Sequence, residues 1–367
     1  MNSKVSIVIV ARNEEAKIAE CIKAAEEAAS EIGGAEMIVA DSASTDKTAE
    51  IALKVGAKVL RLKPDWELSA SAGRHIGTHY ATGEYILFID ADTLVYEGFL
   101  VPACAALTRD EKLAGVCGFL DDANERTDEL LVFEDRFEAA TDIKWMRGGC
   151  CFYRRKAILE VGSFNPYLLT EEEADIGLRL TRAGWKLQML PVPMAVHTRC
   201  TEDLSGKSIL RHLSRNLFAG RFGGTTRTVG YAFKNGYGLA FCRLRMPTAI
   251  FFVLWFCLIL ATLVIPLGGL SYIAAFYIFF LGLVAIFFKK GNVQKTFLFF
   301  VLKLIYLLNL LLGIPKLKFT SVKNYPINVE ILENRIAKDV SSLDSHKAFP
   351  AYGSNLPNQS FGLSCES

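Results

Sequence analysis

The chain has 367 residues, 51% of them hydrophobic and 22% charged, with a formal net charge of +2. So small a charge excludes a general electrostatic affinity for nucleic acid. A mean hydropathy of +0.26 is too apolar for an ordinary soluble protein, so a membrane part is expected. Nine Cys are scattered without a paired zinc-type spacing, which fits a reducing compartment and small buried thiols.

The chain starts "MNSKVSIVIVARNEE", a short apolar run that ends in charge, with no signal-peptide pattern. The N-terminal part is therefore expected in the cytosol. "KVSIVIVA" reads as a buried strand. "NEEAKIAECIKAAEEAASEI" has helical spacing, with Ile18, Ile22 and Ala25 on one face. "AEMIVAD" is a second strand, and "DKTAEIALKVGA" a second helix closed by Gly56. "KVLRL" is a third strand, "SASAGRHIGTHYATG" a helix, and "EYILFIDAD" a fourth strand. Strands alternating with helices predict an α/β domain with a mostly parallel sheet over residues 1–230.

A basic linker is expected at 231–246. Residues 247–288 carry no charge, and a "PLGG" at 266–269 divides the run into two predicted transmembrane helices. The segment 296–315 contains Lys303 and Asn309 and is read as a third span, with an interfacial segment as the alternative, giving a membrane region of two to three helices at 247–315. Between 199 and 245, nine Lys and Arg face two acids, and Lys289, Lys290 and Lys295 follow the second apolar run. Positive-inside logic then keeps the N-terminal domain cytoplasmic, on an inner or plasma membrane. A third span strains that logic at Lys316, Lys318 and Lys323, so the side of the polar 316–367 tail stays open.

In a parallel α/β sheet the ligand lies beyond the carboxyl ends of the strands. Three strands end in polar residues: the first at Ala11, Arg12, Asn13 and Glu14, the second at Asp41, the fourth at Asp90 and Asp92. Two acids on one strand tip repel. A divalent cation, Mg²⁺ or Mn²⁺, would relieve the repulsion and bridge to a substrate phosphate; a turn capped by Asp90 and Asp92 is the plain alternative. His75 and His79 have the i, i+4 spacing of metal ligands but read as ordinary helix positions. No G-x-G-x-x-G follows the first strand, which argues against a dinucleotide-binding dehydrogenase.

Taken in order, "VSIVIVARNEE", "IVADSASTDKTAEIA", "SAGRHIGTHYATGEYILFIDAD", "GGCCFYRRKAILEVGSFNP" and "EEADIGLRLTRAGW" resemble the family 2 glycosyltransferases of the GT-A fold. The resemblance spans about residues 4–200. It implies a Rossmann-like GT-A domain followed by transmembrane helices. It also implies a nucleotide-sugar site at Ala11, Asn13, Glu14, Asp41, Arg74 and Asp90, with Arg74 approaching the diphosphate. A metal site at Asp90 and Asp92 is implied, with His197 as a third ligand or a surface residue. Gly148 and Gly149 fall on the acceptor side. Ser42 stands where a second acid is common, and Ala43 where Gly is usual.

"TEEEAD" at 170–175 opens a predicted helix, with Thr170 and Glu173 spaced as a capping box. By resemblance Glu172 and Glu173 fall on the family's acid pair, with Glu173 the base. Thr170 is then the cap, Glu171 is solvated, and Asp175 orients the site. The Q-x-x-R-W motif of processive synthases is absent from 207–222, which favours adding a single sugar. The expected enzyme transfers a sugar, UDP-linked as is commonest in this family, to a hydroxyl of a lipid-linked or envelope-glycan acceptor. A polyprenyl-phosphate glycosyltransferase and a catalytically silent membrane assembly partner are the alternatives.

Overall fold

The computed structural model describes residues 4–124, 130–131, 137–146, 148–199, 221–264, 275, 278–279 and 319–333. Residues 1–333 form one compact unit. The organising strand is β1 (Val5–Ala11), VSIVIVA, buried at every position. A continuous run of β-branched residues suits a strand covered on both faces. It pairs in parallel with β2 (Glu36–Asp41) on one side and β4 (Tyr85–Asp90) on the other, and β2 pairs in parallel with β3 (Lys58–Arg61).

Helix α1 (Ile18–Ser30) buries Ile18, Cys21, Ile22, Ala25 and Ala29, the i, i+3, i+4, i+7 stripe that the sequence predicts. Helix α2 (Thr48–Lys54) stops before Gly56, whose φ of +95° supplies the left-handed turn at a helix end. Helix α3 (Ala70–Tyr80) begins at Ser69, whose hydroxyl accepts from the Ala72 amide at 3.0 Å. It lies tightly on β1. A Cβ added at Gly77 would sit 2.3 Å from Val8 Cγ1, and one at Gly73 would sit 2.8 Å from Val10 Cγ1. That close approach carries Arg74, between the two glycines, towards the strand ends.

Beyond β4 the sheet is mixed. It runs β11-β3-β2-β1-β4-β9-β6-β10-β5, with β5 (Thr93–Val95), β6 (Leu113–Asn124), β9 (Cys150–Arg154), β10 (Lys186–Arg199) and β11 (Glu330–Leu332). Strand β9 is antiparallel to both its neighbours, whereas β6 and β10 pair in parallel. Two short strands, β7 (Leu130–Leu131) and β8 (Thr141–Ile143), pair with β6 and β10. Among the described residues six of the ten pairings are antiparallel, so the mostly parallel expectation is corrected to a mixed sheet. The cause is the connection. Parallel neighbours need a crossover, usually a helix. Helix α4 (Leu100–Arg109) precedes β6, but the described residues from 113 to 154 hold no helix, and β9 returns antiparallel to both β4 and β6.

Helices α5 (Arg155–Glu160) and α6 (Glu172–Arg182) follow β9. The expected linker is instead structured: α7 (Arg221–Lys234) and α8 (Gly238–Arg245) pack on α6. Phe241 is fully buried, with Tyr237 and Met246 beside it, against Ala174 and Leu178. Residues 319–333, expected as loose tail, lie on the domain. Tyr325 is buried against Trp66, His75 and Tyr167, and β11 extends the sheet at β3.

Helix α9 (Pro247–Val264) begins the apolar region and exposes Phe251, Leu254 and Leu258. Among the described residues no helix is long and apolar enough to cross a membrane. Apart from α9 and residues 275, 278 and 279, the predicted region 247–315 lies outside the described residues, as does the tail beyond 333.

Ala43 holds φ +55°, the left-handed region where a Cβ is unfavourable. The departure from Gly noted in the sequence is thus a real conformational cost. Ala43→Gly is expected to stabilise the fold by up to about 1 kcal/mol, read as a shift in denaturation midpoint with unchanged m-value.

Candidate active site

The strand ends and the first turn of α6 bring one arginine and three carboxylates together. Arg74 is 2% exposed. Its Nη1 donates to Glu172 Oε1 at 2.9 Å and its Nη2 to Asp90 Oδ1 at 2.9 Å. Glu173 Oε1 lies 3.4 Å from the same Nη2. One guanidinium therefore joins the tip of β4 to the start of α6. The carboxylates around Arg74 hold it charged despite its burial.

Glu172 and Glu173 are each 8% exposed. Burial pushes the Glu173 carboxyl up to about 8, and the neighbouring Glu172 adds to the shift, while Arg74 opposes it. Glu172 is raised as well, again chiefly by burial and against Arg74. The two titrate as a coupled pair. A carboxylate poised near neutrality in a buried cluster has the properties of a general base.

Gly148 faces this pair. A Cβ there would lie 2.7 Å from Glu173 Oε1, so only Gly lets the loop before β9 approach the acid. Gly149, at φ +95°, accepts from the Asp90 amide at 2.9 Å and ties the same loop to β4. Gly148→Ala is expected to displace Glu173 and lower turnover by about 10²-fold, measured as kcat with the fold intact by circular dichroism.

Asp92 lies on the other side of Asp90. Its Oδ2 is 3.3 Å from His197 Nε2, and His197 Nδ1 is 3.1 Å from Asp122 Oδ1. The β6–β10 register sets Asp122 directly opposite His197. A carboxylate behind an imidazole, with a second carboxylate in front, is the outer-shell pattern of a metal-binding His. No group of three His, Cys, Asp or Glu among the described residues gathers as a complete cage. Asp92 and His197 fit a cation that takes its remaining ligands from phosphate and water. Asp90, the third expected ligand, has one oxygen committed to Arg74.

A pocket of about 270 Å³ opens at the carboxyl ends of β1, β2 and β4, lined by Ala11, Arg12, Glu14, Ser42, Asp90 and Asp92, among others. Ser42 is 3% exposed, and its Oγ has no hydrogen-bond partner among the described residues. Asn13, at φ +56°, stands beside the pocket. Its Oδ1 accepts from the Thr45 amide at 2.9 Å and fixes the loop after β2. Asp41 is fully buried, turned to the Ser44 amide at 3.3 Å and to Arg61 at 3.6 Å, and burial raises its carboxyl.

Four expectations change. Arg74 is locked among carboxylates, whereas Arg12 is the exposed cation at the pocket. Asp175 does not join the acid pair: Oδ2 accepts from Arg179 Nη2 at 2.6 Å, and Oδ1 accepts from the Tyr237 hydroxyl. It anchors α6 to α8. The capping box does not form either. Helix α6 starts after Glu171, which sits at φ +64° and makes no side-chain cap, and Thr170 Oγ1 faces Thr225 Oγ1. Glu171 is not freely solvated but accepts from Arg245, whose guanidinium lies 3.9 Å from the Trp145 ring centroid. His75 and His79 each turn Nδ1 to a backbone carbonyl, that of Phe164 and that of His75.

The chain is 34% identical over 93 residues to a 4,4'-diaponeurosporenoate glycosyltransferase of Staphylococcus haemolyticus, covering 24% of each chain. It is 24% identical over 236 residues to the cellulose synthase 1 catalytic subunit [UDP-forming] of Komagataeibacter xylinus, covering 59% of this chain and 30% of that one. The chain spans less than half the length of the curated relatives it matches. A solved structure of residues 1–349 of S. aureus TarS aligns with TM-score 0.48 at 17% identity, over 74% of this chain and 78% of that one, too loosely to carry weight. The model for glycosyl transferase family 2 matches residues 6–162. The model for glycosyl transferase family group 2 matches residues 85–289, more than half of the sequence, and the chain belongs to this family of glycosyltransferases.

Proposed function

We propose that the protein moves one sugar from a nucleotide-diphosphate sugar, UDP-linked, to a hydroxyl of a lipid-linked or envelope-glycan acceptor, with inversion. The observation that carries the reading is the single guanidinium shared by Asp90, Glu172 and Glu173, with Gly148 against the base. The catalytic domain works at the cytoplasmic face of a membrane to which the apolar region anchors it. The charge-free run 247–288 and the basic stretch before it support that placement.

The donor lies in the pocket at the ends of β1, β2 and β4. Ser42 Oγ offers an unsatisfied hydrogen bond to the nucleoside, and Arg12 offers a cation to the diphosphate. Glu173 takes the proton of the acceptor hydroxyl as its oxygen bonds to the anomeric carbon. The bond from that carbon to the diphosphate oxygen breaks, and the nucleoside diphosphate leaves. Arg74 keeps the base and Asp90 at a fixed separation throughout. A Mg²⁺ or Mn²⁺ ion held by Asp92 and His197, with Asp90 adjacent, would supply charge stabilisation for the departing diphosphate.

The test is a thermal-shift screen against nucleotide sugars with and without Mn²⁺, followed by analysis of the product bond. Binding raises the apparent melting temperature by mass action. An alkali-stable glycosidic product is expected. An acid-labile glycosyl phosphate would replace the hydroxyl acceptor with a polyprenyl phosphate.

A further inference from the structure

The apolar region begins at Pro247, directly after α8, and the described chain resumes at Phe319. Both ends are fastened to the same place on the catalytic domain. Tyr231, on α7, donates its hydroxyl to the Thr320 carbonyl at 2.7 Å and accepts from the Thr320 amide at 2.9 Å. Its ring meets that of Phe319 edge-on at 5.3 Å, and Lys234 lies 5.2 Å from the same ring centroid. The chain then runs along the domain. Tyr80 donates to the Ile327 carbonyl at 2.9 Å, and Tyr325 donates to the Glu67 carbonyl at 2.7 Å. At Glu330–Leu332 it joins the sheet through β3. A strand cannot pair with this sheet from across a bilayer, because its polar backbone would have to cross hydrocarbon unsatisfied.

A second observation concerns the first part of the region. Trp255, in α9, donates Nε1–H to the Ile278 carbonyl at 2.8 Å and stacks on Phe279 at 5.5 Å. Residues 255 and 279 lie almost equally far from the "PLGG" at 266–269. The contact sets residues 278 and 279 beside Trp255, as an outgoing and a returning limb of the apolar region would be set.

We infer that the apolar region makes one out-and-back excursion through the bilayer, and that segment 296–315 adds no net crossing, so that residues 319–333 stay on the catalytic domain's face. The inference rests on the proposed membrane anchoring. It replaces the third span expected from hydropathy. It also removes the charge conflict: Lys289, Lys290, Lys295, Lys316, Lys318 and Lys323 all fall on the side of the catalytic domain. The strap 319–333 thereby fixes how far the acid cluster can stand from the lipid surface, which matters for an acceptor held there.

Site-specific proteolysis of the full-length protein in oriented membrane vesicles tests this. Protease recognition sites are inserted singly at the exposed turn after Gly34, after Gly268, after Asn292 and after Glu333. The sites after Gly34, Asn292 and Glu333 are expected to be cut from one face, and the site after Gly268 from the other. A site after Glu333 cut from the face opposite Gly34 would overturn the inference and establish a third crossing. An alkaline carbonate wash of the same vesicles separates this from failure of the anchoring itself. Release of the protein into the wash would overturn the anchoring and the inference together, whereas retention with Glu333 on the opposite face overturns only the inference.

Discussion

Glu173→Gln is expected to abolish transfer while leaving donor binding intact. Gln preserves size and a polar contact with Arg74 but cannot accept the acceptor's proton. Loss of a general base costs about 10²–10⁴-fold. The same substitution is expected to stabilise the fold at alkaline pH, because Glu173 has a raised carboxyl. The folded state holds that proton after the unfolded chain has released it. Wild-type stability therefore falls as pH rises from the ordinary glutamate range, about 4.3, through about 8. Gln has no proton to lose and escapes that fall. Transfer assays, nucleotide-sugar binding and melting temperatures at pH 5 and pH 8.5 check all three parts. A residue that served only to cap α6 would show a stability loss without the selective loss of turnover.

Arg74→Met is expected to cost more stability than any other single change in the site. It leaves the buried Glu172, Glu173 and Asp90 without their shared cation, and removing one partner of a buried ion pair typically costs about 3–5 kcal/mol. The sign of the pH dependence follows from the carboxylates. Without Arg74 the protonated forms of Glu172 and Glu173 are favoured further, so the loss is large at pH 8 and small at pH 5, where these two acids can take up protons. Arg74→Lys keeps the charge but offers one ammonium in place of a planar fork. It should fold, yet misplace Glu173 relative to Asp90 and lower kcat more than it raises KM. Denaturation midpoints at the two pH values, with steady-state kinetics of the Lys variant, decide this. A Met variant as stable as wild type at pH 8 would remove Arg74 from the centre of the site.

Much of this arrangement was legible from local pattern. The buried run VSIVIVA, the stripe on α1 and the glycine after α2 are set by short-range chemistry and appear where expected. Asp90 was singled out by its place at a strand end, and Glu173 only by resemblance, since the one spacing read there was that of a capping box that does not form. Helix spacing alone did not decide Asp175, which is two residues from Glu173 but three from Glu172. Its real partners, Arg179 and Tyr237, lie on a different side of α6. Arg74 could not be placed from sequence. Its role depends on α3 pressing onto β1 through two glycines, and on α6 arriving from a segment about 100 residues further along. Asp122 behind His197 was invisible for the same reason, because only the β6–β10 register makes them neighbours. The antiparallel half of the sheet follows from connections without helices, whose direction no single strand encodes.

The pH dependence of kcat/KM for sugar transfer is the measurement that bears most directly on this site, because it reports the ionisation of essential groups in the free enzyme. If Glu173 is the base in a buried pair held by Arg74, activity rises with pH through an apparent value near 8, set by burial and by Glu172. In Arg74→Lys, where the cation is less well placed, the rise moves to higher pH. A profile that is flat between pH 6 and 9 in both proteins would contradict the assignment of Glu173 and the role given to Arg74.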